Sequence, residues 1–179
     1  LGVMAVWDGS GDTDYGLVTA DPRLAALGVR FLMPVGRDGE IAAAGFARAD
    51  AATYDRHRLA LGVPDGSRDL EIEKSILLEN GLEELNGVDF NKGCYMGQEL
   101  TARTKYRALI KKRLVPVKLE GPLPAPGTPV MRDGEEVGEL RSGRDGVALA
   151  MLKLDALAGP LSAGDAKLTP QPPAWMNLG

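Results

Sequence analysis

Apolar positions in the first third of the chain come in short runs separated by turn residues. Residues 2 to 7, Gly2 to Trp7, read as a β-strand. Asp21-Pro22 carries the N-cap and first-turn chemistry of a short helix running to about Leu27, and a second strand is predicted at 29 to 35. An Arg37-Asp38-Gly39 turn follows, with room for a further strand after it. Residues 49 to 61 are Ala-rich and polar, a helix pattern that Gly62-Val63-Pro64-Asp65-Gly66 stops. The apolar triplet Ile76-Leu77-Leu78 fits a helical turn or a buried loop equally well.

From Arg113 onward the pattern changes to short strands with turn signals. Leu114 to Leu119 alternates loosely, and Pro116, which has no N–H for a ladder, confines that strand to an edge or a bulge. Val130-Met131-Arg132, the turn Asp133-Gly134 and Val137 to Arg141 form a hairpin pattern, and Asp145-Gly146 leads into a strand from Val147 to Leu154. Strands this short, with no helices between them, predict a small antiparallel barrel. The expected fold class is α+β: an α+β portion at 1 to 108 and a C-terminal antiparallel β-barrel with its tail at 109 to 179. Pro170-Gln171-Pro172-Pro173 cannot continue a sheet. Because Leu1 opens inside a strand pattern with no initiator Met, a preceding N-terminal part is expected.

Composition removes several function classes. A chain of 179 residues with 44% apolar and 26% charged residues suits one large or two small globular domains, not a disulfide miniprotein or a disordered tail. One Cys and one His cannot make an internal disulfide or a Cys/His zinc site, and they point to a reducing compartment. The net charge of −4 argues against a general polyanion binder, and no apolar run approaches the ~18 residues of a membrane helix, so no membrane partner is expected. No Walker loop or dinucleotide fingerprint is present. Asp8 to Asp14 resembles a calcium loop but has Thr13 in place of the loop glycine and Thr19 in place of the bidentate Glu, so it reads as a polar turn.

The densest chemistry lies at Asn91-Lys92-Gly93-Cys94-Tyr95-Met96-Gly97-Gln98-Glu99-Leu100-Thr101-Ala102-Arg103. Two glycines bracket the single thiol and permit unusual backbone angles or close approach of a partner. With Gly97 or Gln98 opening a helix, Cys94 lies just before a helix N-terminus with Lys92 two residues away, and both favour negative charge there. A buried small hydrophobe remains the alternative for this cysteine. His57, flanked by Arg56 and Arg58 on its helix, is expected at the surface and not as a base for Cys94. An iron-sulfur cluster ordinarily takes four thiolates, so any cluster at Cys94 must be shared with another chain. Arg103, Lys105, Arg107, Lys111, Lys112 and Arg113 form a basic stretch, readable as a patch for phosphates, a polyglutamyl tail or RNA, or as solvated element ends. Glu99 and Arg103 have the spacing of a helix-surface pair.

Lys92-Gly93-Cys94-Tyr95-Met96-Gly97-Gln98-Glu99 resembles the K-G-C-[FY]-x-G-Q-E signature of the YgfZ/GcvT-like folate-binding family, relatives of the glycine-cleavage aminomethyltransferase (T-protein). Tyr54, Arg58, Gly62-Val63-Pro64 and Arg68-Asp69-Leu70 are similar to the family's Y-x-x-x-R and G-x-P segment. Asn86 to Phe90, Leu100 to Thr104 and Lys112-Arg113-Leu114 resemble its mitochondrial and alphaproteobacterial iron-sulfur assembly branch. The resemblance is strong over about 54 to 117. It implies a GcvT-like folate-binding fold, here the second α+β domain with a fragment of the first, most of the first domain being absent, and a C-terminal barrel. It also implies maturation or repair of [4Fe-4S] proteins, with Cys94 in a cluster shared with an A-type scaffold partner and client iron-sulfur enzymes downstream. Tetrahydrofolate would bind near Glu79, Tyr54, Arg58 and Lys92, and Cys94 would be the reactive or metal-binding residue. A folate-dependent aminomethyltransferase and a tRNA-modification role with a tRNA contact are the alternatives. The compartment would be the bacterial cytoplasm, or the mitochondrial matrix in a eukaryote. One departure stands out: Leu77-Leu78-Glu79-Asn80-Gly81-Leu82 replaces the family's P-x-E-x-N-L, which keeps the carboxylate in a different backbone setting.

Overall fold

A computed structural model describes residues 1–9, 16–106 and 110–178. The chain divides into two compact units, Leu1–Tyr54 and Asp55–Gly179.

In the first unit, β1 (Gly2–Val6) and β2 (Leu17–Ala20) flank β3 (Val29–Met33) in an antiparallel sheet of order β1-β3-β2. Met4, Phe31 and Val18 share a cross-strand row, and with Val6, Met33 and Ile41 they form the core of this unit. The strands at 2 to 7 and 29 to 35 are thus present, whereas β2 was not expected. Two expectations change. The helix expected after Asp21 is a single 3₁₀ turn, Ala25–Leu27, because the Asp21 carboxylate binds the Arg23 backbone N–H and the Arg23 and Arg30 guanidinium groups and Leu24 stays extended. The segment after Arg37 is a helix, α1 (Asp38–Ala43), in place of a further strand. Asp38 and Glu40 suit its first turn, and Gly45 at φ +93° follows its end.

Helix α2 (Ala51–Ala60) follows, and its residues from Asp55 belong to the second unit. It ends at Gly62 with φ +75°, as the stop signal requires. Residues 71–88 form a series of turns with Leu78 buried, so Ile76-Leu77-Leu78 belongs to a packed loop. Two helices, α3 (Gly66–Asp69) and α4 (Gln98–Tyr106), precede six strands: β4 (Lys112–Glu120), β5 (Pro129–Arg132), β6 (Glu135–Arg144), β7 (Val147–Lys153), β8 (Leu161–Ala163) and β9 (Ala166–Pro170). These close into an antiparallel barrel of order β4-β7-β6-β5-β8-β9. Both Asp-Gly turns are present with positive φ at both residues, the conformation that matches the strand twist.

The barrel interior is narrow and filled by Val115, Val117, Leu140, Leu152, Leu168 and several alanines. On the outside of the barrel, Leu114 and Leu149 are covered by Leu59 of α2, so β4 is buried on both faces there and its alternation is blurred. Pro116 is a correction: β4 is not an edge but pairs with β7 and with β9. The Pro116 carbonyl accepts from Gln171 N–H at 2.8 Å, so its missing N–H faces the β9 side, and only the return bond to Gln171, just beyond the last β4–β9 pair, is forgone.

A buried ion network joins α2 and α3 to β6. Arg58 Nε donates to Asp55 at 2.8 Å, its Nη1 to Asp69 and to the Val63 carbonyl, and its Nη2 to Ser142 Oγ at 2.7 Å. Burial would push the Asp55 carboxyl up, but the guanidinium groups of Arg68, Arg144 and Arg58 outweigh it and hold the group well below the usual carboxylate range.

Candidate functional site

The segment carrying Cys94 is built from local bonds. Asn91 N–H donates to the Asp89 carboxylate at 2.7 Å, closing the turn before Lys92. Gly93 and Gly97 have φ +90° and +85°, and a Cβ on either would meet nothing within 4 Å. They serve the backbone angle, not close packing. Tyr95 N–H donates to Gln98 Oε1 at 3.0 Å while Gln98 N–H donates to the Tyr95 carbonyl at 3.3 Å, a reciprocal pair that starts α4. The Lys92 ammonium sits 4.9 Å from the centre of the Tyr95 ring. Cys94 is a free, exposed thiol, which rejects the buried-hydrophobe alternative. Beside it Met96 is 99% exposed and Leu100 66%.

Helix α4 is tied down behind this loop. Thr104 is buried and its hydroxyl donates to the Leu100 carbonyl at 2.9 Å. Lys105 pairs with Glu83 and lies 4.2 Å from the centre of the Phe90 ring, which meets Tyr106 edge-on. The Glu99–Arg103 pair forms as its spacing suggested. Much of the basic stretch is therefore neutralised within the fold: Arg103, Lys105 and Arg113 each have a carboxylate partner, while Lys111 and Lys112 are exposed and Arg107 lies outside the described residues. Residues 10–14 of the expected polar turn also lie outside them. Among the described residues no group of three or more His, Cys, Asp and Glu side chains could hold a metal ion, and no helix is long and apolar enough to cross a membrane.

The four expected folate contacts fall in different settings. Lys92 belongs to the exposed loop just described. Tyr54 lines a cavity of about 1040 Å³ in the first unit with Trp7, Phe46, Arg30 and Arg48. Its ring meets Trp7 at 5.6 Å and its hydroxyl accepts from Arg23 at 3.2 Å. Arg23 and Arg30 converge on Asp21 nearby. Burial would push that carboxyl up, but their hydrogen bonds hold it at about 2. Arg58 lines neither this cavity nor the next, since its guanidinium is spent on Asp55, Asp69 and Ser142. His57, expected at the surface, is half-buried.

Glu79 lines a second cavity of about 210 Å³ in the second unit, with Asn80, Lys112 and Arg141 among its walls. Its backbone is clamped. The Leu114 N–H donates to the Glu79 carbonyl at 2.9 Å, and buried Arg113 donates to the Leu78 carbonyl at 2.9 Å and to Glu84 at 2.5 Å. Gly81, at the position where the family signature has Asn, has φ +74°, and a Cβ there would lie 3.2 Å from the Trp175 ring. Desolvation pushes the Glu79 carboxyl above its ordinary value, partly offset by Lys112. Sequence reasoning missed Trp7, Phe46 and Arg141, and it read Arg113 as a member of the basic stretch, not as the buried clamp on the Leu78 carbonyl. The scarcity of aromatics in the chain was the one available signal for the first two.

Residues 111–178 match the family described as CAF17, C-terminal beta-barrel domain. Over 151 residues, 81% of this chain and 42% of the relative, the sequence is 42% identical to the mitochondrial iron-sulfur cluster assembly factor IBA57 of Mus musculus. Over 150 residues, with the same coverage, it is 41% identical to the Homo sapiens protein of that name. A stretch of 108 residues, 59% of the chain and 26% of the relative, is 41% identical to the IBA57 homolog of Dictyostelium discoideum. The chain spans about two-fifths of the length of the mouse and human relatives. It is thus similar, along four-fifths of its own length, to iron-sulfur cluster assembly factors, and its six-stranded barrel is similar to the C-terminal domain of CAF17.

Proposed function

We propose that this chain acts in the maturation of iron-sulfur proteins, with Cys94 lending one thiolate to a cluster whose other ligands belong to a second protein. The observation that carries this reading is the presentation of the chain's single thiol. It is exposed on a loop whose shape two positive-φ glycines and the Tyr95–Gln98 pair define, while a cluster ordinarily needs four thiolates. The names of the mouse and human relatives, iron-sulfur cluster assembly factors, support it. The second protein in this reading is an A-type scaffold, the cluster is cargo, and client iron-sulfur enzymes receive it. In a eukaryote the compartment would be the mitochondrial matrix, in line with the relatives' names.

Tetrahydrofolate belongs in this proposal as a ligand of the first unit's cavity. Trp7, Phe46 and Tyr54 offer faces for a planar heterocycle, while Arg30 and Arg48 in the same walls are already paired with Asp21 and Asp38. When bound, it would supply one-carbon chemistry or simply occupancy. The chain's own contribution is to stack and orient it.

The test is cluster reconstitution of the Cys94→Ala variant with an A-type scaffold. The expected result is loss of the shared-cluster absorption and slower transfer to an apo-client. An unchanged spectrum and unchanged transfer rate would overturn the role of the thiol.

A further inference from the structure

We infer that the exposed apolar patch made by Tyr95, Met96 and Leu100 is the docking surface for the protein that completes the cluster at Cys94. The inference rests on the role proposed for that thiol and names what surrounds it. Tyr95 is 40% exposed, Met96 99% and Leu100 66%. No other stretch of six described residues holds three exposed large apolar side chains, and Met96 is the most exposed of them all. Single exposed apolar residues are ordinary, whereas a group of them in one place marks a surface that a partner covers.

The reciprocal hydrogen bonds between Tyr95 and Gln98 close residues 95–98 into a turn, with Met96 inside it and Cys94 immediately before it. Leu100 follows in the first turn of α4. Thr104 lies one helical turn beyond Leu100 on the same face, and there the face is buried. At Leu100 that same face is bare. The helix is seated by its C-terminal half, through Thr104 and the Lys105–Glu83 pair, and its N-terminal half projects with the thiol loop. A protein that shares a cluster with Cys94 has to bring its own atoms close to this thiol, so it covers these neighbours when it arrives.

Charge narrows the occupant. Glu99 pairs with Arg103, and Lys105 pairs with Glu83. The Asp89 carboxylate, upstream of the thiol, accepts from the Asn91 N–H. Lys92 has the Tyr95 ring against it and no carboxylate partner among the described residues. A cluster held by thiolates carries net negative charge, so a cation two residues from the shared ligand favours it. A second copy of this chain fits less well. Across a two-fold axis it would set Lys92 near its own counterpart, and it would add only one more thiol, short of the four that a cluster ordinarily takes. The occupant is therefore a different protein, one whose own thiolates hold an anionic cluster inside an apolar rim.

The test is an anaerobic titration of the chain with an A-type scaffold loaded with an iron-sulfur cluster, reading affinity and the cluster absorption together. Met96→Glu combined with Leu100→Glu should weaken the complex about tenfold or more with Cys94 in place. Lys92→Glu should weaken it about threefold, and by less at high salt. Ile72→Glu, at an exposed apolar residue elsewhere in the same unit, should leave the affinity unchanged within about twofold. All these side chains are exposed, so each variant should keep the parent's melting temperature; Met96→Gln with Leu100→Gln replaces the charged pair if that pair does not fold. Parental affinity in the patch variant, an equal loss in Ile72→Glu, or a dimeric parent that the patch variant turns into a monomer would each overturn the inference. The two readings fail separately. If Cys94→Ala loses the shared absorption while the patch variant binds like the parent, the thiol role stands and the docking surface falls. If Cys94→Ala keeps the absorption while the patch variant loses affinity, the docking surface stands and the thiol role falls. A parent chain that does not bind the loaded scaffold overturns both.

Discussion

In the barrel, Val115, Val117, Leu140, Leu152 and their neighbours are fully buried, and strands paired on both sides leave little room for a side chain to move. The segment at 91–97 in the same unit is exposed at every residue and is shaped by a few local hydrogen bonds. One region spends its residues on excluding water, while the other leaves a thiol, an ammonium and a thioether open to a partner. The contrast shows where chemistry can be placed without loss of fold: on an exposed loop, carried by a closely packed core.

The largest effect that bears on this contrast is expected inside the barrel. Leu152→Ala should cost about 2–5 kcal/mol, read as a lower urea midpoint at unchanged slope. A much smaller loss would mean that the barrel relaxes around the cavity and is less rigid than its packing implies. Next comes the network under α2. Arg58→Met leaves Asp55 and Asp69 with fewer partners in a buried setting and should cost about 3 kcal/mol or more in the same measurement. Adding Asp69→Asn to that variant should recover part of the loss, because the uncompensated charge goes with it.

The same network sets a pH dependence. The folded Asp55 carboxyl lies below its unfolded value, so its stabilising contribution is present above about pH 4 and is lost as pH falls through the folded value. Asp55→Asn should therefore be less stable than the parent chain at pH 7, with the gap narrowing in acid, as seen in urea midpoints at pH 7 and pH 3. A gap that stays constant would show that the arginines do not favour the ionised form.

Effects shrink at the thiol loop. Gly93→Ala should cost about 1 kcal/mol, since alanine pays for φ +90° although no atom stands in its way. Cys94→Ser should stay within about 0.5 kcal/mol of the parent chain, because the side chain is exposed. A large loss of stability in Cys94→Ser would erase the distinction between the two regions.

The hairpins of the barrel were legible because an Asp-Gly pair with both residues at positive φ is a local preference that the chain expresses anywhere. Helix α2 and its stop at Gly62 were legible for the same reason. Pro116 was misread as an edge marker because the rule concerns ladder bonds, and whether one is lost depends on where β9 ends. The helix expected after Asp21 failed because its capping carboxylate was claimed by Arg23 and Arg30, the second of them nine residues away. At the candidate site, the turn around Cys94 follows from glycine spacing, whereas the exposure of its thiol is settled only by the fold. The separation of Tyr54 and Glu79 into an aromatic cavity and an aromatic-free one does not follow from any local pattern.

By itself, then, the sequence determined the turns, the order of short strands and the count of one thiol, too few for these residues alone to hold a cluster. Only the tertiary structure decided which charges are spent and which are free. Arg58 reaches Ser142 across 84 residues of chain and Arg113 reaches Leu78 across 35, while Lys112, adjacent to Arg113, faces a cavity. The physical reason is that turn geometry is governed by neighbours along the chain, whereas burial and ion pairing depend on groups that meet only once the barrel has closed.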